Sequence, residues 1–129
     1  RFKDKVLTSK EVKLLTNWKF ISEIDSSEEK AFNQSIELFC KFIDNQKIQE
    51  LSILIIEDFD DLILERFTKT TYEYLKNTNL KVTSNLNEVI SSSNLVILIA
   101  INITTKKKLI STLQKLSIRE EPTGYIVLI

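Results

Sequence analysis

Two stretches of this sequence hold residue types that could do chemistry. Residues 57 to 61 read EDFDD and set Glu57, Asp58, Asp60 and Asp61 directly after an apolar run. Carboxylates gathered in this way can collect a hard divalent cation such as Mg, which takes oxygen ligands. Residues 102 to 108 read NITTKKK, where Thr104, Thr105 and Lys106 stand before a segment of helical spacing. Two hydroxyls, the free amides of a helix start and a cation could together hold an anion there. Each stretch also has a plainer use. Asp60 or Asp61 can cap the following helix and complement its positive end. Thr104 and Thr105 can do the same for theirs, with the lysines turned to solvent.

Much of the usual catalytic equipment is missing. The chain has no histidine, which removes the common general base, metal ligand and near-neutral pH switch together. Cys40 is the only cysteine, so neither an internal disulfide nor a cysteine metal cage can form. It falls among Phe39 and Phe42 in a helical pattern and reads as a buried or half-buried small side chain. Ser91, Ser92 and Ser93 have no histidine or lysine arrangement to activate them and read as a loop. Tyr72 and Tyr74 could be modified, but Tyr74 falls on an apolar helix face and reads as core. A phosphate cradle of either standard type needs glycines that let backbone amides approach the oxyanion. The sole glycine, Gly124, precedes the last strand, so both loop types are excluded. No cofactor is expected, and no bound metal beyond what the acidic stretch could gather.

The elements that must position these residues follow from apolar periodicity. TSKEVKLL (8–15) reads as a short helix with Thr8 and Glu11 at capping-box spacing, and WKFISEI (18–24) as a strand. Ser26 and Glu29 repeat that spacing before a long helix through Phe32, Ile36, Phe39 and Ile43. Leu51 to Ile56 is a buried strand by length and β-branching. Residues 61 to 76 return to helical spacing along Ile63, Phe67, Thr70 and Tyr74. A strand near Leu80 to Thr83 and a short helix holding Leu86, Val89 and Ile90 come next. Leu95 to Ala100 is a second fully apolar strand, Lys106 to Leu116 a helix through Leu109, Ile110, Leu113 and Leu116, and Tyr125 to Ile129 a last strand. Five strands spaced by five helices predict an α/β three-layer sandwich around a mostly parallel, Rossmann-like or P-loop-like sheet without a Walker A loop.

Length and charge bound the rest. A chain of 129 residues fits a single domain over 1–129 that can bury roughly two thirds of its unfolded surface. Eighteen basic residues balance eighteen acidic ones, which argues against a nucleic-acid or membrane role carried by bulk electrostatics. No apolar run is long enough to span a bilayer. The chain starts at Arg1 and contains no Met, so it reads as a piece of a longer protein, with any membrane contact made by segments outside it.

Taken together, three stretches resemble the cytoplasmic region of the polysaccharide chain-length determinant proteins and bacterial tyrosine kinases of exopolysaccharide export. KDKVLTSKEVKLLTNWKFISEID (3–25) is similar to the basic segment, short helix and strand with which that region leaves the membrane. EEKAFNQSIELFCKFI (28–43) is similar to the helix before its first central strand. LNEVISSSNLVILIAINITTKKKLISTLQKL (86–116) and TGYIVLI (123–129) resemble its late strand, Thr-initiated helix and final strand. Active members carry a Walker A loop after the first central strand, an acidic strand end for Mg and a tyrosine cluster at the tail. Here the Walker A position, after Ile56, reads EDFDDLILER, which would repel a triphosphate, and the stretch ending at Ile129 has no tyrosine cluster. The resemblance therefore implies a catalytically silent interaction or regulatory domain on the cytoplasmic side of a chain-length control or export protein, possibilities for contact being protein partners or self-association.

Two rivals stand beside that expectation. Residues 51 to 83 resemble the first half of a response-regulator receiver domain. The phosphate-accepting aspartate would then stand near the end of Leu95 to Ala100, where this chain has Ile99 and Ala100. That resemblance implies a pseudo-receiver that binds a protein partner without phosphorylation, and strand 51–56 at the sheet edge, next to strand 79–83, would favour it. A small enzyme using carboxylates alone is the third reading, supported only by the cluster at 57 to 61.

Overall fold

The computed structural model describes residues 19–56, 60–100, 106–116, 119, 121 and 123–129. Its strands are β1 (Lys19–Ile24), β2 (Glu50–Ile55), β3 (Asn79–Thr83), β4 (Leu95–Ala100) and β5 (Thr123–Leu128). Its helices are α1 (Glu29–Asn45), α2 (Asp61–Tyr74) and α3 (Lys106–Leu116), with a 3-10 turn at Leu86–Glu88. The five strands form one sheet in the order β1-β5-β4-β2-β3, and every pairing is parallel. The predicted α/β sandwich is present, and its sheet is wholly parallel. The predicted helix over 8–15 and Trp18 lie outside the described residues.

The central strands are apolar at nearly every position because both faces of a parallel sheet are covered. Side chains alternate between two cores. Leu54, Leu95, Ile97, Ile99, Tyr125 and Val127 pack on one face with Val89 and Leu116. Leu51, Ile53, Ile55, Val96, Leu98, Ile126 and Leu128 pack on the other with α1 and α2, through Phe32, Ile36, Phe39, Ile43 and Phe67. Each fully buried aliphatic or aromatic side chain of this kind stabilises the fold by about 1.5–3 kcal/mol.

Several local readings are corrected. Ser26 and Glu29 do not form a capping box: Glu28 is the N-cap and makes no side-chain cap bond. Ser26 Oγ instead donates to the Ile129 carbonyl at 2.6 Å, tying the exit of β1 to the end of the chain. The buried stripe of α2 runs through Phe67 and Thr71 to Leu75, because Thr71 Oγ1 satisfies itself on the Phe67 carbonyl at 2.7 Å and so tolerates burial. Tyr74, expected in the core, is 42% exposed and donates to Glu37 Oε1. Ile110, expected on the apolar face of α3, is 42% exposed. The short helix near Leu86 is only a 3-10 turn, though Val89 is buried as its pattern implied.

Glycine scarcity leaves marks on the backbone. Helix α1 ends with Lys47 at φ 55°, the left-handed position that glycine usually takes after a helix. Gly124 sits where Ile21 crosses it; Ile21 is the extra residue of a bulge between Phe20 and Ser22 in β1. A Cβ at 124 would lie 2.6 Å from Ile21 Cδ1. No helix among the described residues is long and apolar enough to cross a membrane.

Candidate functional site

Strands β2 and β4 are hydrogen-bonded neighbours with Ile55 opposite Leu98. The chain leaves β2 for α2, which packs on one sheet face, and leaves β4 for α3, whose Leu116 packs on the other. The carboxyl ends of these two strands therefore form the topological switch point, where doubly wound sheets place their ligands. The two stretches singled out in the sequence, 57–61 and 102–108, follow these adjacent strands. Asp60 and Lys106 are the described residues at which the chain resumes after β2 and β4.

Of the acidic group, Asp60 and Asp61 are described. Asp60 is the N-cap of α2: its Oδ1 accepts from the Leu62 amide at 2.9 Å and the Ile63 amide at 3.3 Å. Asp61 is the exposed first residue of the helix, where its charge favours the positive helix end. Glu57 and Asp58 lie outside the described residues, as do Thr104 and Thr105. Lys106 opens α3. Among the described residues no group of three or more His, Cys, Asp or Glu could hold a metal ion.

The neighbouring rim is built from turns. Thr83 Oγ1 accepts from the Asn85 amide, and Asn85 Oδ1 accepts from the Asn87 amide, both at 3.0 Å. Glu88 pairs with Lys81 at 3.0 Å, and the lysine holds its carboxyl below the usual range. Beyond β1, the Ser27 hydroxyl and amide likewise hold Asp25 low. These short Asx-type bonds organise backbone and leave few of the described polar groups at this rim available to a ligand.

The remaining candidates are dispersed. Ser92 shares a 2.9 Å hydroxyl bond with Ser52 at the amino end of the sheet, and Lys81, opposite Ser52 on β3, is paired with Glu88. Cys40 is buried, and desolvation with the nearby Asp44 and Glu37 charges pushes its pKa up to about 12. Its thiol is inert at neutral pH. Sequence reasoning missed Arg119, whose Nε donates to Thr123 Oγ1 and whose Nη1 donates to the Ile90 carbonyl, each at 2.9 Å. Nothing in the local pattern around Arg119 marks a contact spanning 29 residues.

Comparison with protein-family models, with curated proteins and with solved structures found no match to this chain.

Proposed function

We propose that this domain works by protein contact, without making or breaking a bond. The observation that carries the reading is the use of Asp60: the described carboxylate that follows the central strand at the switch point is committed to two amides of α2. The histidine-free composition and the glycine-free loops support it further. On the sequence resemblance, such a domain would sit on the cytoplasmic side of a polysaccharide chain-length control or export protein and contact copies of itself or a partner.

A second reading is favoured by the strand order. Counted from β2, the strands β3-β2-β4-β5 run 2-1-3-4, as in flavodoxin-like sheets and receiver domains, with β1 in the fifth place. The expected place of strand 51–56 at the edge is not met, since β3 takes the edge and β2 lies directly inside it; the adjacency of the two strands is what supports this reading. The protein would then be a pseudo-receiver, reading out contact without an acceptor aspartate.

Thermal unfolding with Mg, Mg-ADP and Mg-ATP tests the shared conclusion. A ligand at one hundred times its Kd would add about 2.7 kcal/mol. No shift is expected under any of the three conditions. A nucleotide-dependent rise, or phosphoryl transfer by the purified domain, would overturn the reading. A rise with Mg alone that disappears when Glu57, Asp58 and Asp61 are replaced together would point to carboxylate chemistry instead.

A further inference from the structure

At the opposite end of the sheet from the switch point, the amino ends of β1, β4 and β5 and the last turn of α1 enclose a cleft of about 330 Å³. That volume falls within the range of small-molecule sites, about 300–1,000 Å³. Its inner wall is apolar and includes the buried side chains of Ile43, Leu51 and Val96, which pack on the α1 face of the sheet. Four polar side chains complete the lining. Two are already engaged: the Asn94 carboxamide donates to the Glu50 carbonyl at 3.1 Å, and Thr123 Oγ1 accepts from Arg119 at 2.9 Å. The other two are Lys19 and Gln46. No carboxylate among the described residues pairs with Lys19, in contrast to Lys41, Arg66 and Lys81. Its ammonium rests 5.2 Å from the centroid of the Phe42 ring, which holds the charge beside the apolar wall.

We propose that this cleft binds a small aliphatic carboxylate, with the chain against the Leu51 and Val96 wall and the head group at Lys19 and Gln46. An apolar wall calls for a hydrocarbon part. An ammonium in the lining, with the Gln46 carboxamide as a further donor, calls for an anionic acceptor, since charge-assisted hydrogen bonds are the strong ones. This site is separate from the switch point, so its occupancy is independent of the nucleotide test above.

Octanoate, octanol and octylamine are the probes, followed by thermal shift and by calorimetric titration of the folded protein. Octanoate is expected to bind saturably and raise Tm, octanol to bind more weakly, and octylamine to give no saturable shift. Lys19 is exposed, so Lys19→Gln keeps the fold; it should lower octanoate affinity by about tenfold or more and leave octanol unchanged. Ile48→Trp, which fills the cleft from its rim, should abolish binding of both, with the far-ultraviolet circular dichroism unchanged. The proposal fails if octanoate does not saturate, if octylamine protects equally, or if Lys19→Gln binds octanoate as the parent does.

Discussion

Tyr72 Oη donates to the Leu80 carbonyl at 3.1 Å and closes one point on the outer edge of β3. The Asn79 amide points inward to the Gln49 carbonyl at 2.7 Å, so strand alternation turns the polar groups of Leu80 outward. An edge strand with free carbonyls is a template for pairing with another chain, and native proteins block such edges. Lys81, in the middle of β3 and paired with Glu88, adds charge to the same edge.

Tyr72→Phe should therefore do two things. Stability should fall by about 0.5–1.5 kcal/mol, the net worth of one hydrogen bond. The tendency to associate through β3 should rise, read as a concentration-dependent increase in sedimentation coefficient. An unchanged urea midpoint would mean that water replaces the phenol at no cost.

Gly124→Ala sets two effects against each other. A strand gains about 0.5–1 kcal/mol when glycine is replaced by alanine. Here the new Cβ meets Ile21 Cδ1 at 2.6 Å and Cγ1 at 3.2 Å, so the side chain of Ile21 must move. A net loss of about 1 kcal/mol is expected from such overpacking. In an Ile21→Ala background the clash is gone and the same change should stabilise. A double-mutant cycle measured by urea unfolding would show the reversal of sign.

At Lys47 the conflict runs the other way. Its N–H returns to the Asp44 carbonyl at 3.0 Å with φ at 55°, a conformation that costs a residue with a Cβ about 1 kcal/mol or more. Lys47→Gly should raise stability by up to about 1 kcal/mol, offset in part by the greater freedom of glycine in the unfolded chain. Denaturant midpoints of the two proteins decide it.

How much of this was legible in the sequence depends on the range of the interaction. The unbroken apolar run of Leu95 to Ile99 and the spacing of Phe32, Ile36, Phe39 and Ile43 announce a covered parallel sheet and its helix, because burial on both faces of the strand and one face of the helix writes those patterns. The stripe of α2 was misread by one position: Thr71 looks polar, and only its bond to the Phe67 carbonyl makes it a core residue. Ser26 has the spacing of a capping box but is drawn away by Ile129, 103 residues later in the chain. The switch point was legible only in part. Both candidate stretches could be named, but that they follow adjacent strands depends on β2 lying beside β4, which is set by long-range packing.

Asp60 separates a cap from a charge. Both of its bonds come from amides, at 2.9 and 3.3 Å, and an asparagine can accept them equally well. Asp60→Ala should cost about 0.5–2 kcal/mol, whereas Asp60→Asn should cost little. If Asp60→Asn proves as harmful as Asp60→Ala in urea unfolding, the charge itself matters and the carboxylate reading of the 57–61 stretch regains ground.

Cys40 gives a pH dependence whose direction can be worked out. Burial favours the neutral thiol, so its folded pKa, about 12, lies above its ordinary value of 9.0. The folded state binds the proton more tightly than the unfolded state between those values. The contribution of the neutral thiol is therefore fully present below pH 9, and it is lost as pH rises from 9 toward 12. Cys40→Ala removes that titration, and its urea midpoint should fall less steeply over the same interval while its stability at pH 7 drops through lost packing. A disulfide reagent should modify Cys40 in the parent only as fast as the fold opens, with a rate that follows denaturant concentration. Rapid modification at neutral pH without denaturant would show that the α1 core opens locally, and the difference in alkaline slope between parent and Cys40→Ala would then shrink.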